Sequence, residues 1–207
     1  MIEINCQSSI KIGEDKIIYF DPIKQDQLHD ADYIFITHPH WDHFSKEDIL
    51  KVKKDTTKII GPKDIEKECL NFGFSKDNIV ILKPNQNILI DNIVINTFPS
   101  YNINKAFHPR ENEWLGYLVD FNKHKYYIPG DTDVIDEISN LKVDTCFIPI
   151  GGTYTMNAKE AADFINRIHP NKVIPIHYGM VVGDKSDFFL FKNSILKDIE
   201  IEELIKL

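Results

Sequence analysis

Short apolar runs with β spacing dominate the first third of the chain. Residues 2–6, 9–12 and 16–20 read as three strands, broken where Gly13, Asp15 and the Asp21-Pro22 pair interrupt the apolar pattern. Another apolar run at 33–37 stops at His38-Pro39-His40-Trp41-Asp42-His43. Ser45 with Asp48 three residues on then marks a helix start, and the helix is expected to run to about Val52. A strand at 58–60, a helix from Pro62 to a stop at Gly73 and a strand at 79–82 continue in α/β alternation. Residues 88–90 and 93–98 make a hairpin about Asp91-Asn92, and 115–121 with 126–129 make a second. The last third predicts a helix from Asp133 and a strand at 145–150. A helix from Asn157, with Glu160 completing a capping box, follows, then a strand at 172–176, a helix at 186–197 and a strand at 199–203. So many strands exceed one sheet, and two stacked sheets flanked by helices are the natural packing solution.

Composition narrows the class. At 207 residues the chain is expected to form one compact domain, 1–207, and 43% hydrophobic residues supply its core. Disorder is excluded by the even spread of apolar positions, and a membrane span by the lack of any apolar run near the ~18 residues required. The opening Met1-Ile2-Glu3 begins no basic region followed by an apolar stretch, so the expected compartment is the cytoplasm. Cys6, Cys69 and Cys146 are too dispersed for a disulfide framework or a zinc knuckle. A formal charge of −8 disfavours nucleic acid, whose binding depends on Lys and Arg neutralising phosphates. The expected partner is a small-molecule substrate, without nucleic acid or membrane; self-association is left open.

Candidate chemistry centres on the HxHxDH pattern of His38, His40, Asp42 and His43. Imidazole and carboxylate are borderline ligands that suit Zn, Mn, Fe or Co, and alternate residues at a strand exit converge on one ion. Asp42 and His43, being adjacent, cannot both face the way His38 and His40 do, and suit a second ion. Two further acceptors follow apolar β runs: Asp131 after Gly130, and His177 after 172–176. Carboxyl ends of strands in α/β sheets are where ligands bind. Tyr101, Tyr154 and Tyr178 fall on expected rim loops as substrate contacts, and Lys105 and Arg110, the cations of the 99–113 stretch, are expected to meet a substrate carboxylate or phosphate. The amides of the 151–156 stretch are placed to face an anion, or simply to connect strand and helix.

Together, HxHxDH, Gly130-Asp131-Thr132-Asp133 and Pro175-Ile176-His177-Tyr178-Gly179 resemble the metallo-β-lactamase superfamily over nearly the whole chain. The branch is similar to L-ascorbate-6-phosphate lactonase. The resemblance implies a four-layer αβ/βα sandwich, two mixed sheets flanked by helices, with a binuclear site at one sheet edge. By position His38 and His40 would hold the first metal, Asp42, His43 and His177 the second, and Asp131 would bridge them. Relatives place another histidine after a Pro-containing strand end, where this chain has Asn102 in Pro99-Ser100-Tyr101-Asn102. His108, six residues later, Asn102 itself or a water would complete the first site.

Two divalent ions, zinc first with manganese or iron as alternatives, would share a water acidic enough to give hydroxide at neutral pH. The reading is a metal-dependent hydrolase of a small ester, lactone, amide or phosphodiester, with Asp42 and Asp131 as the catalytic carboxylates. A di-iron redox protein and a noncatalytic, metal-stabilised binding protein are the alternatives.

Overall fold

A computed structural model describes residues 1–205. They fall into two compact units, Met1–Lys83 and Pro84–Ile205, each built on one mixed sheet. The first unit lays down β1 (Ile2–Ile4), β2 (Ile10–Gly13), β3 (Ile17–Phe20), β4 (Ala31–Phe35), β5 (Lys53–Gly61) and β6 (Ile79–Ile81) side by side in chain order. Strands β1 to β3 form an antiparallel meander, and β3 to β6 run parallel.

Helices α1 (Lys46–Val52) and α2 (Glu66–Asn71) connect the parallel strands. Ser45 caps α1 by accepting from the Asp48 N–H, and Glu47 and Asp48 in the first turn complement the helix dipole. Ile49 and Val52 on α1 and Ile65 and Cys69 around α2 pack with Ile34, Ile36 and Ile59 of the sheet, all fully buried. Fully burying one aliphatic side chain contributes about 1.5–3 kcal/mol, so this cluster is what holds the helices to the strands. Several boundaries differ from expectation, such as β4, which runs Ala31–Phe35 where 33–37 is expected, and two differences have a visible cause. Strand β5 starts at Lys53 instead of 58, because the Thr57 hydroxyl donates to the Ala31 carbonyl and accepts from the Lys54 N–H, which holds a polar segment along β4. The helix expected from Pro62 opens as a 3-10 turn, Lys63–Ile65, and only then becomes α-helical.

The second unit comprises β7 (Asn87–Ile90), β8 (Ile93–Pro99), β9 (Leu115–Phe121), β10 (His124–Ile128), β11 (Thr145–Pro149), β12 (Lys172–Ile176) and β13 (Glu200–Ile201). Its order runs from β13 back to β7, antiparallel from β7 to β10 and parallel from β10 to β13. Every residue of β11 is buried, as befits a parallel strand covered on both faces. Helix α3 (Ala158–Ile168) carries the Asn157–Glu160 capping box and buries Ala161, Ala162, Phe164, Ile165 and Ile168 on one face. Helix α4 (Lys185–Ser194) packs on α3 and stops short of 197: Asn166 accepts from the Leu196 N–H and donates to the Ser194 carbonyl, which fixes the exit.

The helix expected from Asp133 does not form; a 3-10 turn, Asp136–Ile138, takes its place. The Asp133 N–H donates to the Tyr101 carbonyl, and its carboxylate accepts from the Ile103 N–H and from Lys105. Groups that would start a helix are spent on tertiary bonds. Among the described residues no helix is long and apolar enough to cross a membrane.

Candidate metal centre

In the first unit the chemistry sits at the carboxyl ends of β3 and β4. These strands are parallel neighbours with Phe20 beside Phe35, so Asp21 and the segment from Thr37 leave the sheet at one edge. Asp21 is fully buried and accepts from the Thr37 N–H (2.8 Å), the Thr37 hydroxyl (2.6 Å) and His43 Nδ1 (2.8 Å). Burial pushes its carboxyl above the usual range, and His43 and Thr37 pull against that rise. Because the single hydroxyl proton of Thr37 goes to Asp21, its oxygen accepts from His38 Nδ1 at 3.0 Å. His38 and His43 are therefore both protonated on Nδ1 and present Nε2 as the basic nitrogen.

The three imidazoles crowd together. The His38 ring lies 4.0 Å from that of His43 and 4.7 Å, edge-on, from that of His40. The Asp42 carboxylate stands 3.8 Å from His43 Nε2. His43 and Phe44 both donate their N–H to the His40 carbonyl, closing the turn that brings HxHxDH onto itself. Trp41 in the same turn is 71% exposed. The buried imidazoles of His38 and His43 and the half-buried one of His40, beside a carboxylate, form a nitrogen and oxygen donor set that fits zinc, manganese or iron.

The second unit brings His108, Asp131 and His177 together. Asp131 follows β10 and Gly130, whose φ of +70° suits glycine. His177 follows β12 with φ +54° and is fully buried. Its Nε2 lies 3.1 Å from Asp131 Oδ2, and His108 Nε2 lies 3.6 Å from that same oxygen. Gly151, next to this turn, has room for no side chain: a Cβ there would collide with the His177 carbonyl oxygen. Asn102 is a buried support of this cluster, its Oδ1 3.0 Å from His108 Nδ1 and its Nδ2 donating to the Tyr154 carbonyl at 2.8 Å.

The expected substrate contacts are placed unequally. Tyr154 is half-buried with its ring edge-on to exposed Phe107 at 4.6 Å. The Tyr101 hydroxyl donates to Glu137, and Arg110 lies over the Tyr101 ring while pairing with Glu137. Lys105 binds Asp133 and the Thr155 carbonyl, and so ties loops together. Tyr178, expected on the rim, lies in the core instead: it is fully buried, stacked on Phe188, with its hydroxyl on Glu203. Three amides of the 151–156 stretch donate to backbone carbonyls: Gly152 to Met156 and Thr153 to Gly151 within the stretch, and Met156 to Thr132 outside it. Asp21 and the supporting role of Asn102 were not read from the sequence. For Asp21 the available signal is its place immediately past β3, as Asp131 stands shortly after β10.

Buried histidine and aspartate at the carboxyl ends of parallel strands define a metal-binding α/β protein. The chain matches the family model of the Beta-lactamase superfamily domain over residues 5–177. It belongs to that superfamily, with the metallo-β-lactamase-like fold, and to its metal-dependent hydrolases. It is 30% identical over 177 residues to a UPF0173 protein of Pyrococcus abyssi, covering 83% of this chain and 80% of that one. It is also 30% identical over 204 residues to a UPF0173 metal-dependent hydrolase of Natranaerobius thermophilus, covering 85% and 82%. A solved structure from Parabacteroides distasonis, which carries the name metal-dependent hydrolase, superposes with a TM-score of 0.83 at 28% identity, covering 99% and 93%.

Proposed function

We propose that the protein hydrolyses a small ester, lactone, amide or phosphodiester with two divalent ions, zinc first. Its candidate ligands are His38, His40, Asp42, His43, His108, Asp131 and His177. The observation that carries this reading is the pair of contacts that hold His38 Nδ1 at the Thr37 hydroxyl and His43 Nδ1 at the Asp21 carboxylate. Histidine ligands are oriented in this way, by an acceptor on the far ring nitrogen. Two bound ions would lower the pKa of a water toward 7 and polarise the substrate's carbonyl or phosphoryl oxygen.

The chain's own residues then have defined tasks. Asp42 or Asp131 orients the attacking water and accepts its proton. Tyr154, beside Phe107, offers an aromatic edge to the substrate's apolar part. The buried free cysteines Cys6, Cys69 and Cys146 support action in a reducing compartment, the cytoplasm. The test is elemental analysis of protein purified without chelator. About two zinc or manganese ions per chain are expected, and Asp42→Ala is expected to abolish turnover while keeping the fold. Two irons with a visible absorption band would turn the reading to redox chemistry. One ion or none after reconstitution would turn it to the binding protein.

A further inference from the structure

The strand end after β8 carries an amide where an imidazole would be the simpler metal ligand. Asn102 is 7% exposed, and three bonds fix it. Its backbone N–H donates to the His108 carbonyl at 2.8 Å, closing the loop 102–108. Its Nδ2 donates to the Tyr154 carbonyl at 2.8 Å, and its Oδ1 lies 3.0 Å from His108 Nδ1.

These contacts leave one consistent protonation pattern. A backbone carbonyl only accepts, so the Asn102 nitrogen must face Tyr154 and the oxygen must face His108. That oxygen also only accepts, so His108 Nδ1 must carry the proton. A neutral His108 then has its basic nitrogen at Nε2, the atom 3.6 Å from Asp131 Oδ2. Packing fixes the ring plane as well, since Trp114 lies edge-on to it at 5.4 Å.

We infer that Asn102 is a positioning residue: it sets the Nδ1–H tautomer of His108 and aims Nε2 at Asp131, and it does so through the loop that carries Tyr154. The inference rests on the reading of His108 as a ligand for its effect on metal binding, but the tautomer stands apart from that reading. Asn102 therefore contributes as support for a ligand in place of the ligand expected at its own position. It also links occupancy of the metal position by His108 to the placement of Tyr154, the aromatic that borders Phe107.

Long-range proton–nitrogen correlation spectra of the metal-free wild-type protein, with histidine nitrogen labelled, read the tautomer directly. The expected result is a His108 proton on Nδ1; a proton on Nε2, or an exchanging mixture, would overturn the inference whatever the variants do. Cobalt(II) titration supplies the second readout. Asn102→Leu is expected to weaken cobalt binding by about 10–100-fold and to release the tautomer, whereas Asn102→Asp keeps an acceptor facing His108 and keeps the tautomer. Unchanged affinity and tautomer in Asn102→Leu would overturn the positioning role. His108→Ala separates the two readings. If it leaves cobalt binding intact, the ligand assignment and the metal effect of Asn102 fall together, while the tautomer in the wild-type spectrum still reports on Asn102.

Discussion

Asp21 does the work at the residue scale that the motif residues cannot do for themselves. An imidazole has two nitrogens, and a ligand with the wrong one protonated binds nothing. By accepting from His43 Nδ1 and from the Thr37 hydroxyl, which in turn accepts from His38, one carboxylate orients two rings. Asp21→Asn keeps the size but sets an amide N–H against one of three donors. Leaving a buried donor unpaired costs about 1–3 kcal/mol, and disturbing a ligand's support costs about 10–100-fold in metal affinity. Both losses are expected, the first by urea denaturation of the metal-free protein and the second by zinc titration.

Among the elements, α1 shows how a helix placed just past the metal turn is kept in register. Asp48 on its first turn accepts from the Gln25 N–H at 2.8 Å and so ties the helix to the long β3–β4 connection. Burial opposes the charged form of Asp48, but hydrogen bonds from Ser45, Gln25 and Lys24 and the charge of Lys51 outweigh it and hold its carboxyl below the usual range. A depressed folded pKa means stability that is present above the unfolded value of about 3.9 and is lost as pH falls through the folded value. Asp48→Asn should therefore lower stability at pH 7 by about 1–2 kcal/mol and flatten its fall between pH 4 and 2. Thermal melts of both proteins across that range measure the difference. An unchanged acid slope would mean that Asp48 does not couple to folding.

For the whole molecule, an ion held by folded histidine and aspartate clusters couples binding to folding, since an unfolded chain does not hold such groups together. An ion at 100 times its dissociation constant stabilises the native state by about 2.7 kcal/mol. At about 2–4 °C per kcal/mol for a chain of this size, exhaustive chelation should lower the melting temperature by about 5–10 °C. Scanning calorimetry before and after chelation, with zinc restored to the stripped sample, reads this directly. No shift on either step would remove metal from the stability of the fold.

What the sequence alone determined is local or periodic. HxHxDH, the Gly130-Asp131 turn and the strand-terminal His177 were legible as candidate ligands because they stand just past apolar β runs, and each falls in a cluster of groups that could hold a metal ion. The caps of α1 and α3 were legible because Ser45 and Asn157 bond within their own first turn. Tertiary structure decided whatever depended on a partner distant in the chain. Asp133 does not start a helix because Tyr101, Ile103 and Lys105 claim its bonds. Tyr178 leaves the rim because Phe188 and Glu203 offer it a buried seat. Asn102, one of the alternatives to His108 as a ligand, instead has its amide oriented by the Tyr154 carbonyl, 52 residues away, with its oxygen beside His108 Nδ1. A hydrogen bond between residues so far apart leaves no periodicity in the sequence, and only the folded chain shows which of an amide's two ends faces the histidine.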